Sequence, residues 1–284
     1  MDEAPPRNVL SVDVEEWYQT VLFDPGNVDL SLKTDLPRDV ERILSMLAAF
    51  KAKATFFVLG CVAEKYPGLV ESIASQGHEI ASHGYSHRLV SSLSREGFGV
   101  ELERSRAVLA RRAGTEIAGY RASTWSIRED SGWAMEAIAR AGFGYDSSIY
   151  PFSLRPRIAG GLDERRFPRR LNRGLWEFPP STFGFCGWNL PFAGGTFLRF
   201  QALGSIQERI AKINALGMPA LAYFHSWEFS HAPPAGIPAW KRALQFGNVR
   251  SVEKKMTALL RRFEFRTVRD LLFAPAGDSA GGGK

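Results

Sequence analysis

The sequence predicts an α/β protein in which parallel strands alternate with helices and close into a (β/α) barrel that folds as a single domain. The first observation is a repeated order of short apolar segments and amphipathic segments, which is typical of successive βα units. The second is that ionisable residues follow directly after several apolar segments, where barrel enzymes assemble their active sites. The third is that no G-x-G-x-x-G turn follows the first strand, which disfavours a dinucleotide-binding sheet.

Strands and helices alternate through the first half of the chain. Residues 9–14 and 55–59 are apolar runs of strand length, and residues 79–82 form a shorter run that ends before His83. The predicted helices between and after them lie at 39–50, through 69–73 up to Gly77, at 95–113 and at 133–141. Further short strands are predicted to end near 120–121 and to begin at 144–146. The order is βαβα.

The pattern is less regular after residue 148. Residues 148–173 are rich in Pro, Gly and Arg and predict a loop, the start of a loop-rich insertion that extends to about residue 200. The remaining predicted elements are a strand at 175–178, a helix at 201–216, a strand at 219–224, a helix at 252–263 and a strand at 264–267. The domain is predicted to span residues 9–273, with an N-terminal tail at 1–8 and a flexible Gly-rich tail at 274–284.

Composition and charge limit the class of protein. Of 284 residues, 45% are hydrophobic, which is enough to form one large core. The net charge of +6 is spread over arginines along the whole sequence, so we expect no nucleic-acid partner. No apolar run reaches the ~20 residues that span a bilayer, and no secretory signal begins the chain, so a cytoplasmic location is expected. Cys61 and Cys186 both lie in apolar contexts and are expected to be buried free thiols.

Two histidines and a group of carboxylates indicate a metal site. His83 and His87 are four positions apart, a spacing that lets both imidazoles reach one ion if the segment makes a helical turn. A third ligand would come from another segment, and the first strand ends in carboxylates. Asp13 and Glu15 are two positions apart, so they share one face of that strand.

Further polar residues follow other predicted strands. Arg121, Asp146 and His225 each fall at or just past a predicted carboxyl end. Each alone has a structural alternative, such as a surface ion pair or a satisfied core histidine, but together they favour an active site. Three tryptophans beside them could stack on sugar rings or could equally pack in the core, namely Trp17, Trp125 and Trp227.

Four segments in this order resemble the polysaccharide deacetylase (NodB homology) superfamily of metal-dependent carbohydrate esterases, over about residues 8–272. They are Ser-Val-Asp-Val-Glu-Glu-Trp at 11–17, Gly-Tyr-Arg-Ala-Ser-Thr-Trp-Ser-Ile at 119–127, Tyr-Asp-Ser-Ser-Ile-Tyr-Pro at 145–151 and Tyr-Phe-His-Ser-Trp-Glu at 223–228. They look like the branch associated with exopolysaccharide and exosortase gene clusters. The resemblance implies a distorted (β/α) barrel of the NodB type.

The resemblance also implies a divalent metal, usually zinc. Its ligands would be one carboxylate and the two histidines of the H-x3-H motif, which fall on Glu15, His83 and His87. Glu16 is the alternative carboxylate, because the chain has Asp-Val-Glu-Glu where most of the superfamily has two adjacent aspartates. Strand alternation favours Glu15.

The catalytic roles implied by the resemblance fall on residues from four segments. Asp13 matches the position of the catalytic base, and Arg121 matches an arginine that orients this base. His225 matches the general acid of the last motif. The carboxylate that tunes this histidine would be Asp146, with Glu177 as the alternative.

The function implied is hydrolytic removal of N-acetyl groups from N-acetylhexosamine units of a polysaccharide or its lipid-linked precursor. The partner would be an N-acetylated glycan, and peripheral association with membrane-bound polysaccharide machinery, at the inner membrane surface, is compatible with this function. Two alternatives remain open. An allantoinase-like hydrolase of a small cyclic amide would have a closed pocket formed by residues 150–173, and a glycan-binding pseudoenzyme would keep the fold without turnover.

Overall fold

The computed structural model describes residues 7–128, 131–153, 163–230 and 235–273. Within these residues, a nine-stranded sheet forms the centre and a two-stranded hairpin lies apart from it. The strands are β1 (Asn8–Val14), β2 (Thr55–Val58), β3 (Glu79–Ser82), β4 (Gly119–Tyr120), β5 (Tyr145–Asp146), β6 (Arg169–Arg170), β7 (Trp176–Glu177), β8 (Thr182–Phe185), β9 (Trp188–Pro191), β10 (Leu221–His225) and β11 (Phe265–Arg266). The α-helices are α1 (Leu36–Ala49), α2 (Gly60–Lys65), α3 (Pro67–Ser75), α4 (Arg95–Ala113), α5 (Gly132–Arg140), α6 (Gly195–Phe200), α7 (Leu203–Asn214), α8 (Ala239–Phe246), α9 (Arg250–Arg262) and α10 (Val268–Phe273).

The central sheet is parallel apart from one edge pair. Its strand order is β10-β1-β2-β3-β4-β5-β7-β6, and β11 pairs with the beginning of β1. The antiparallel pair joins β6 to β7. Both faces of β1 and β2 are buried, as expected of parallel strands that are covered by helices. All the parallel strands therefore end at the same edge, which gathers the residues that follow them.

The sheet curls into a barrel that hydrogen bonding between strands does not fully close. The segment after β7 reaches the other edge at one residue, where Ser181 N donates to Leu221 O at 3.2 Å and Leu221 N donates to Ser181 Oγ at 2.8 Å. The carbonyl of Ala193 also accepts from Tyr223 N at 2.9 Å. Irregular segments thus complete the circle, and the expected α/β class with a distorted barrel is confirmed.

Helix α1 shows how local sequence sets an element. Val40, Ile43 and Leu47 lie at helical spacing and are fully buried, so the predicted amphipathic face packs on the core. The helix begins at Leu36, three residues before the predicted start, because Pro37 is suited to a first helical turn. Its end at Ala49 agrees with the prediction to within one residue.

The region from 148 to 273 contains more regular structure than the sequence predicts. The predicted insertion contains the hairpin β8–β9 and the short helix α6, and α8 and α10 are further helices that were not predicted. These elements are too short for hydrophobic periodicity to reveal. The hairpin turn places Cys186 in the left-handed region, with φ of 49°, and exposes it, so the expectation of a buried thiol is wrong there. Cys61 is buried as expected.

Parts of the predicted domain boundaries lie outside the described residues. These parts are most of the N-terminal tail at 1–6, the Gly-rich tail at 274–284 and a stretch of the insertion at 154–162. Asn8, which was assigned to the tail, begins β1 and is buried. None of the described helices is long and apolar enough to cross a membrane.

Candidate metal and catalytic site

One carboxylate oxygen and two imidazole nitrogens, all possible metal ligands, lie close together at the carboxyl edge of the sheet. Glu15 follows β1 and His83 follows β3, and both are buried with His87. Glu15 Oε2 lies 2.6 Å from His87 Nε2 and 3.5 Å from His83 Nε2. The three ligand atoms lie within 4.8 Å of one another. This arrangement brings together the ligand set that the sequence predicted.

Backbone contacts hold His83 in position, and a sharp turn of the chain places His87. His83 N donates to Val58 O at 3.0 Å, which continues the pairing between β3 and β2. His83 Nδ1 lies 2.9 Å from the carbonyl of Arg121, so this nitrogen carries the proton and Nε2 is left to face Glu15. The chain turns sharply between the two histidines, and His87 itself has a φ of 61°. The turn therefore brings both rings to one point without a regular helix.

The charges at these three side chains fit a divalent cation. Burial raises the pKa of Glu15, but the positive charge and hydrogen bonds of His87 and His83 outweigh burial and hold that pKa well below its usual range. An ionised carboxylate and two imidazole nitrogens are a donor set that suits zinc, with room for a further ligand. Trp227 Nε1 donates to the second oxygen of Glu15 at 3.0 Å, which fixes the carboxylate plane.

Glu16 has a different environment from Glu15. Its Oε1 accepts from Lys65 Nζ at 2.8 Å and from the Tyr66 hydroxyl at 3.2 Å. It also caps the following turn, because its backbone N–H donates to Gln19 Oε1 at 2.9 Å. The structure therefore brings Glu15, and not Glu16, to the histidines.

Asp13 and Arg121 form a buried ion pair beside the triad. Arg121 Nη1 donates to Asp13 Oδ1 at 2.6 Å and also to Ser11 Oγ at 3.0 Å. Arg121 Nη2 donates to Ser147 Oγ at 3.0 Å, and the guanidinium lies 3.9 Å from the centre of the Phe57 ring. The pair is therefore joined through one nitrogen rather than as a two-pronged fork. The remaining contacts fix the guanidinium plane and, through it, the direction of the Asp13 carboxylate.

His225 lies opposite Asp13 on the neighbouring strand. The two residues are paired in the register of β1 and β10, so their side chains share one face of the sheet. His225 Nδ1 lies 3.2 Å from Glu228 Oε2, and the backbone N–H of His225 donates to the same oxygen at 2.9 Å. Arg199 holds the other oxygen of Glu228, with its Nε 3.1 Å away. The result is a chain of contacts from a buried arginine to the histidine.

The contacts of Glu228 determine the charge of His225. Burial lowers the pKa of His225, but Glu228, with smaller effects of Glu15 and Asp13, raises it more, to about 9. An imidazole in this state keeps its proton at neutral pH. Its Nδ1 proton is held by Glu228, which leaves Nε2 for other partners. His225 is thus suited to donate a proton.

Asp146 and Glu177 are not the partners of His225, which corrects the expectation that one of them would be. They lie next to each other in the register of β5 and β7 and are fully buried. Asp146 accepts from the hydroxyl of Ser148 at 2.6 Å and from its N–H at 3.0 Å. Burial and the adjacent Asp146 raise the pKa of Glu177 well above its usual range. The two carboxyl groups therefore connect strands, because one protonated member can donate to the other.

Five of the candidate site residues border one open cavity of about 430 Å³. Asp13, Glu15, His83, His87 and His225 all line it. Its other walls are mostly apolar or aromatic and include Val21, Leu22, Trp125, Tyr150, Phe197, Tyr223, Trp227 and Leu244. This is the usual composition of a ligand site, in which a few polar groups are placed among apolar walls.

The three tryptophans have different positions. Trp125 lines the cavity and lies against Tyr150 and Tyr223. Trp227 also lines it, but its ring is stacked on His225 at 5.1 Å and only 6% of the residue is exposed, so it mainly supports the catalytic groups. Trp17 borders a neighbouring cavity of about 320 Å³ instead. Of the three tryptophans that were expected to contact the substrate, Trp125 is therefore the best placed to do so.

Four polar residues of the site were not identified from the sequence. Glu228 is the last residue of the motif at 223–228, and its position three residues after His225 is a local signal that could have indicated the contact. Ser11 lies two residues before Asp13 on the same face of β1, which is a weaker signal. Arg199 and Ser147 reach the site only through the fold, and nothing in their local sequence indicates this.

Comparison with known proteins divides the chain into two matched regions. Residues 14–143 match the family model for polysaccharide deacetylase, and residues 147–273 match a domain of unknown function, DUF3473. A peptidoglycan-N-acetylglucosamine deacetylase from Bacillus cereus is 33% identical over 126 residues, which cover 43% of this chain and 46% of that protein. A chitooligosaccharide deacetylase from Sinorhizobium fredii is 30% identical over 116 residues, which cover 40% and 51%.

Solved structures extend the likeness to the whole fold. A crystal structure from Mycobacterium smegmatis that is assigned to the polysaccharide deacetylases has a TM-score of 0.64. It covers 95% of this chain and 90% of its own, at 22% identity, and so shows the fold alone. In sequence, the chain spans about half the length of the two curated relatives it matches.

Proposed function

We propose that the chain is a metal-dependent hydrolase that removes N-acetyl groups from N-acetylhexosamine units of a polysaccharide or its lipid-linked precursor. The match of residues 14–143 to the polysaccharide deacetylase family model supports this proposal. The observation that carries this proposal is that the Glu15, His83 and His87 triad borders the same cavity as Asp13 and His225. Hydrolysis of an amide needs a polarised carbonyl, a base and an acid, and these residues can provide all three.

The triad would hold the metal. A divalent cation bound there would polarise the amide carbonyl and lower the pKa of a water molecule, and zinc suits this donor set. The role of the chain is to keep Glu15 ionised and both Nε2 atoms free, which the contacts of His83 with Arg121 and of Glu15 with Trp227 support.

Asp13 would act as the base that accepts a proton from the attacking water. Its carboxylate lines the cavity, and one of its oxygens is held by Arg121. The guanidinium of Arg121 is itself fixed by Ser11 and Ser147, so the second carboxylate oxygen of Asp13 keeps a defined direction. Such positioning of the base is a large part of general-base catalysis.

His225 would act as the acid. When the tetrahedral intermediate collapses, the sugar nitrogen leaves and must receive a proton. The raised pKa of His225, about 9, keeps the ring protonated at neutral pH, and Glu228 orients it through Nδ1. The base and the acid lie on adjacent strands. This placement suits a reaction in which the attacking water loses a proton and the leaving nitrogen gains one, both at the same carbonyl carbon.

The two alternatives have less support. A hydrolase of a small cyclic amide would need a pocket closed by residues 150–173, of which 154–162 lie outside the described residues. Among the described residues, the cavity borders a second cavity of about 600 Å³ at Trp125 and Tyr150, which favours a longer ligand. A pseudoenzyme would be expected to have lost part of the catalytic set. Asp13, Arg121 and His225 are all in place in one cavity wall or directly behind it.

The test is acetate release from N-acetylchitohexaose by the zinc-reconstituted wild type. The matched control is Asp13→Asn, which keeps the size of the side chain and the triad while removing the base. We expect acetate from the wild type and a rate about 10²–10⁴-fold lower from Asp13→Asn, with unchanged zinc content. Equal rates from both proteins would contradict the role of Asp13, and no acetate from a zinc-loaded wild type would contradict the proposed activity on this polymer.

A further inference from the structure

Two further cavities continue from the catalytic cavity along the surface. The first, of about 600 Å³, shares Trp125 and Tyr150 with the catalytic cavity. The second, of about 480 Å³, shares Ile149 and Arg165 with the first. Because each cavity shares lining residues with the next, the three cavities adjoin one another in succession. A chain longer than one sugar that is bound at the metal site would therefore extend into them.

Arginines line these two outer cavities. The arginine trough is defined here as the part of the surface bordered by Arg128, Arg165, Arg169, Arg170 and Arg173. The one carboxylate that borders either outer cavity among the described residues is Glu136. Although the sequence spreads its arginines along the chain, the fold gathers these five beside the active site. Among the described residues, the trough therefore carries a net positive charge.

The arginines differ in how far carboxylates neutralise them. Arg165 is held by Asp163 through two parallel contacts of 2.9 and 2.8 Å, so it mainly orders the trough wall. Arg173 lies 3.9 Å from Glu136, which also pairs with a second arginine. Among the described residues, Arg169 and Arg170 have no carboxylate oxygen within 4.0 Å.

Arg169 and Arg170 are placed where a ligand could reach them. They form β6, the last strand at one edge of the central sheet. Arg170 is exposed and lies over the ring of Trp176 at 5.3 Å, which holds the side chain extended. Arg169 donates through Nη1 to the carbonyl of Arg165 at 2.8 Å, and its other nitrogens remain for further partners. Consecutive residues of a strand point to opposite faces, so the two guanidinium groups leave β6 on different sides, but both residues border the same outer cavity.

We propose that the substrate of this site is an anionic polysaccharide, in which the N-acetylated sugar enters the catalytic cavity while acidic groups of neighbouring sugars bind the arginine trough. This inference rests on the proposed function for the catalytic end and adds the class of substrate. Guanidinium groups bind carboxylates, sulfates and phosphates through paired hydrogen bonds, so the trough selects the charge of the chain rather than one particular sugar. Neutral chitin-like chains would gain little from it.

A nucleic acid is the other polymer that such a surface could hold. The glycan is favoured because the trough leads into the cavity that holds the triad, and because Trp125 and Tyr150 line the junction between the two. Flat aromatic faces at the junction suit the apolar faces of sugar rings. The test therefore includes a nucleic acid as a competing ligand.

The experiment measures binding, so that it does not depend on turnover. Calorimetry on zinc-loaded protein in the Asp13→Asn background would compare a hyaluronan hexasaccharide, which alternates N-acetylglucosamine with a uronic acid, and neutral N-acetylchitohexaose. The variant is Arg169→Gln/Arg170→Gln. The matched control is Arg111→Gln/Arg261→Gln, which removes the same charge from exposed positions on α4 and α9.

We expect hyaluronan to bind more tightly than chitohexaose at about 50 mM salt, and we expect this difference to shrink at about 500 mM, where exposed charges are screened. Each exposed charge pair changes an equilibrium by up to roughly fivefold, so the trough variant should lose about tenfold in hyaluronan affinity. Its chitohexaose affinity should change by less than about twofold, which also shows that it is folded. The control pair should bind both glycans as the background does.

Three results would overturn the proposal. They are equal affinity for the two hexasaccharides at low salt, an equal loss in the control pair, and tighter binding of a single-stranded DNA hexamer than of hyaluronan. Failure of the proposed function would look different, because neither chitohexaose nor the hyaluronan hexasaccharide would then release acetate from the wild type, while hyaluronan binding still required Arg169 and Arg170. The trough would in that case be a binding site for anionic glycans without deacetylation.

Discussion

Arg121 and Arg199 are two buried arginines beside the same cavity, yet they hold carboxylates in different ways. Arg121 comes from the region that matches polysaccharide deacetylases and contacts Asp13, which lines the cavity itself. Arg199 comes from the DUF3473 region and contacts Glu228, which reaches the cavity only through His225. The pair Arg121–Asp13 therefore places a carboxylate in the cavity wall, whereas the pair Arg199–Glu228 positions His225.

The difference shows what each region contributes. The first region provides the triad on residues that follow strands β1 and β3, and Arg121, which follows β4 and holds the proposed base Asp13 in β1, one residue before the matched region begins. The second provides the proposed acid and, through Arg199, ties it to helices α6 and α8, because Arg199 also donates to the carbonyl groups of Gln245 and Gly247. DUF3473 is therefore expected to complete the active site, and five substitutions test this division of labour.

The largest effect is expected from His83→Ala in the first region. Loss of one of three ligands should weaken zinc binding by more than about 100-fold, since even supporting contacts of a metal ligand contribute 10–100-fold. Acetate release should fall to background. The matched control is Glu16→Gln, which alters the neighbouring carboxylate that contacts Lys65 and should keep its zinc. Metal analysis after dialysis measures the zinc content of both variants. Equal zinc content in His83→Ala and the wild type would show that the triad is not the zinc site.

Substitution of the two buried arginines should sharpen the comparison. Arg121→Met leaves Asp13 as an unpaired buried charge and should lower the free energy of unfolding by about 3–5 kcal/mol. Adding Asp13→Asn should recover part of that loss, because Ser11 and Ser147 can turn their hydroxyls to other acceptors. Adding Glu228→Gln to Arg199→Met should recover less, since two backbone carbonyls stay without their donor. Urea denaturation measures the free energy of unfolding of the two single and the two double variants. A similar recovery of stability in both double variants would argue against the different roles of Arg121 and Arg199.

Loss of the proposed acid should produce a selective effect. His225→Ala should slow hydrolysis of an N-acetyl amide by about 100-fold, because the leaving nitrogen then lacks a proton donor. An activated aryl acetate should be slowed much less, since its leaving group needs little protonation. The measurement is the rate of the wild type and of His225→Ala with each substrate, so that the loss with the amide can be divided by the loss with the ester. An equal loss for amide and ester would mean that His225 positions the substrate and does not protonate it.

The smallest effect is expected from Glu228→Gln, which keeps the shape of the side chain and removes its charge. Glu228, together with Glu15 and Asp13, raises the pKa of His225 to about 9, and the acid works only while protonated. Wild-type activity should therefore persist until the pH approaches 9, whereas the variant should begin to lose activity nearer the usual pKa of ~6.5. The difference at pH ~8 should be up to about tenfold. Unchanged pH profiles would show that Glu228 does not set this pKa.

The charge of Glu228 should also affect stability with pH. Because the folded-state pKa of His225 is raised above its ordinary value of 6.5, the contact stabilises the fold fully below that pH and is lost as the pH rises through about 9. The Glu228→Gln variant should lack this dependence. Thermal unfolding measured across that range provides a check that needs neither metal nor substrate.

The sequence was a good guide to the first region because its signals are local. Asp13 and Glu15 could be placed on one face of β1 from alternation alone, and the order of strands predicted that His83 would end near them. The choice of Glu15 over Glu16 also followed from alternation and agrees with the contacts that the structure shows. For His225, by contrast, the family resemblance suggested Asp146 or Glu177 as the partner, and these two carboxyl groups contact each other instead.

Sequence alone determined that the chain alternates strands and helices, and which polar residues stand at strand ends, because periodicity and chain order are properties of neighbouring residues. Tertiary structure alone decided which of those residues touch. Arg121 meets Asp13 across 108 positions, and Trp227 meets Glu15 across 212. Such contacts depend on how the sheet curls and on which buried charges find partners, and burial makes an unpaired charge too costly to leave.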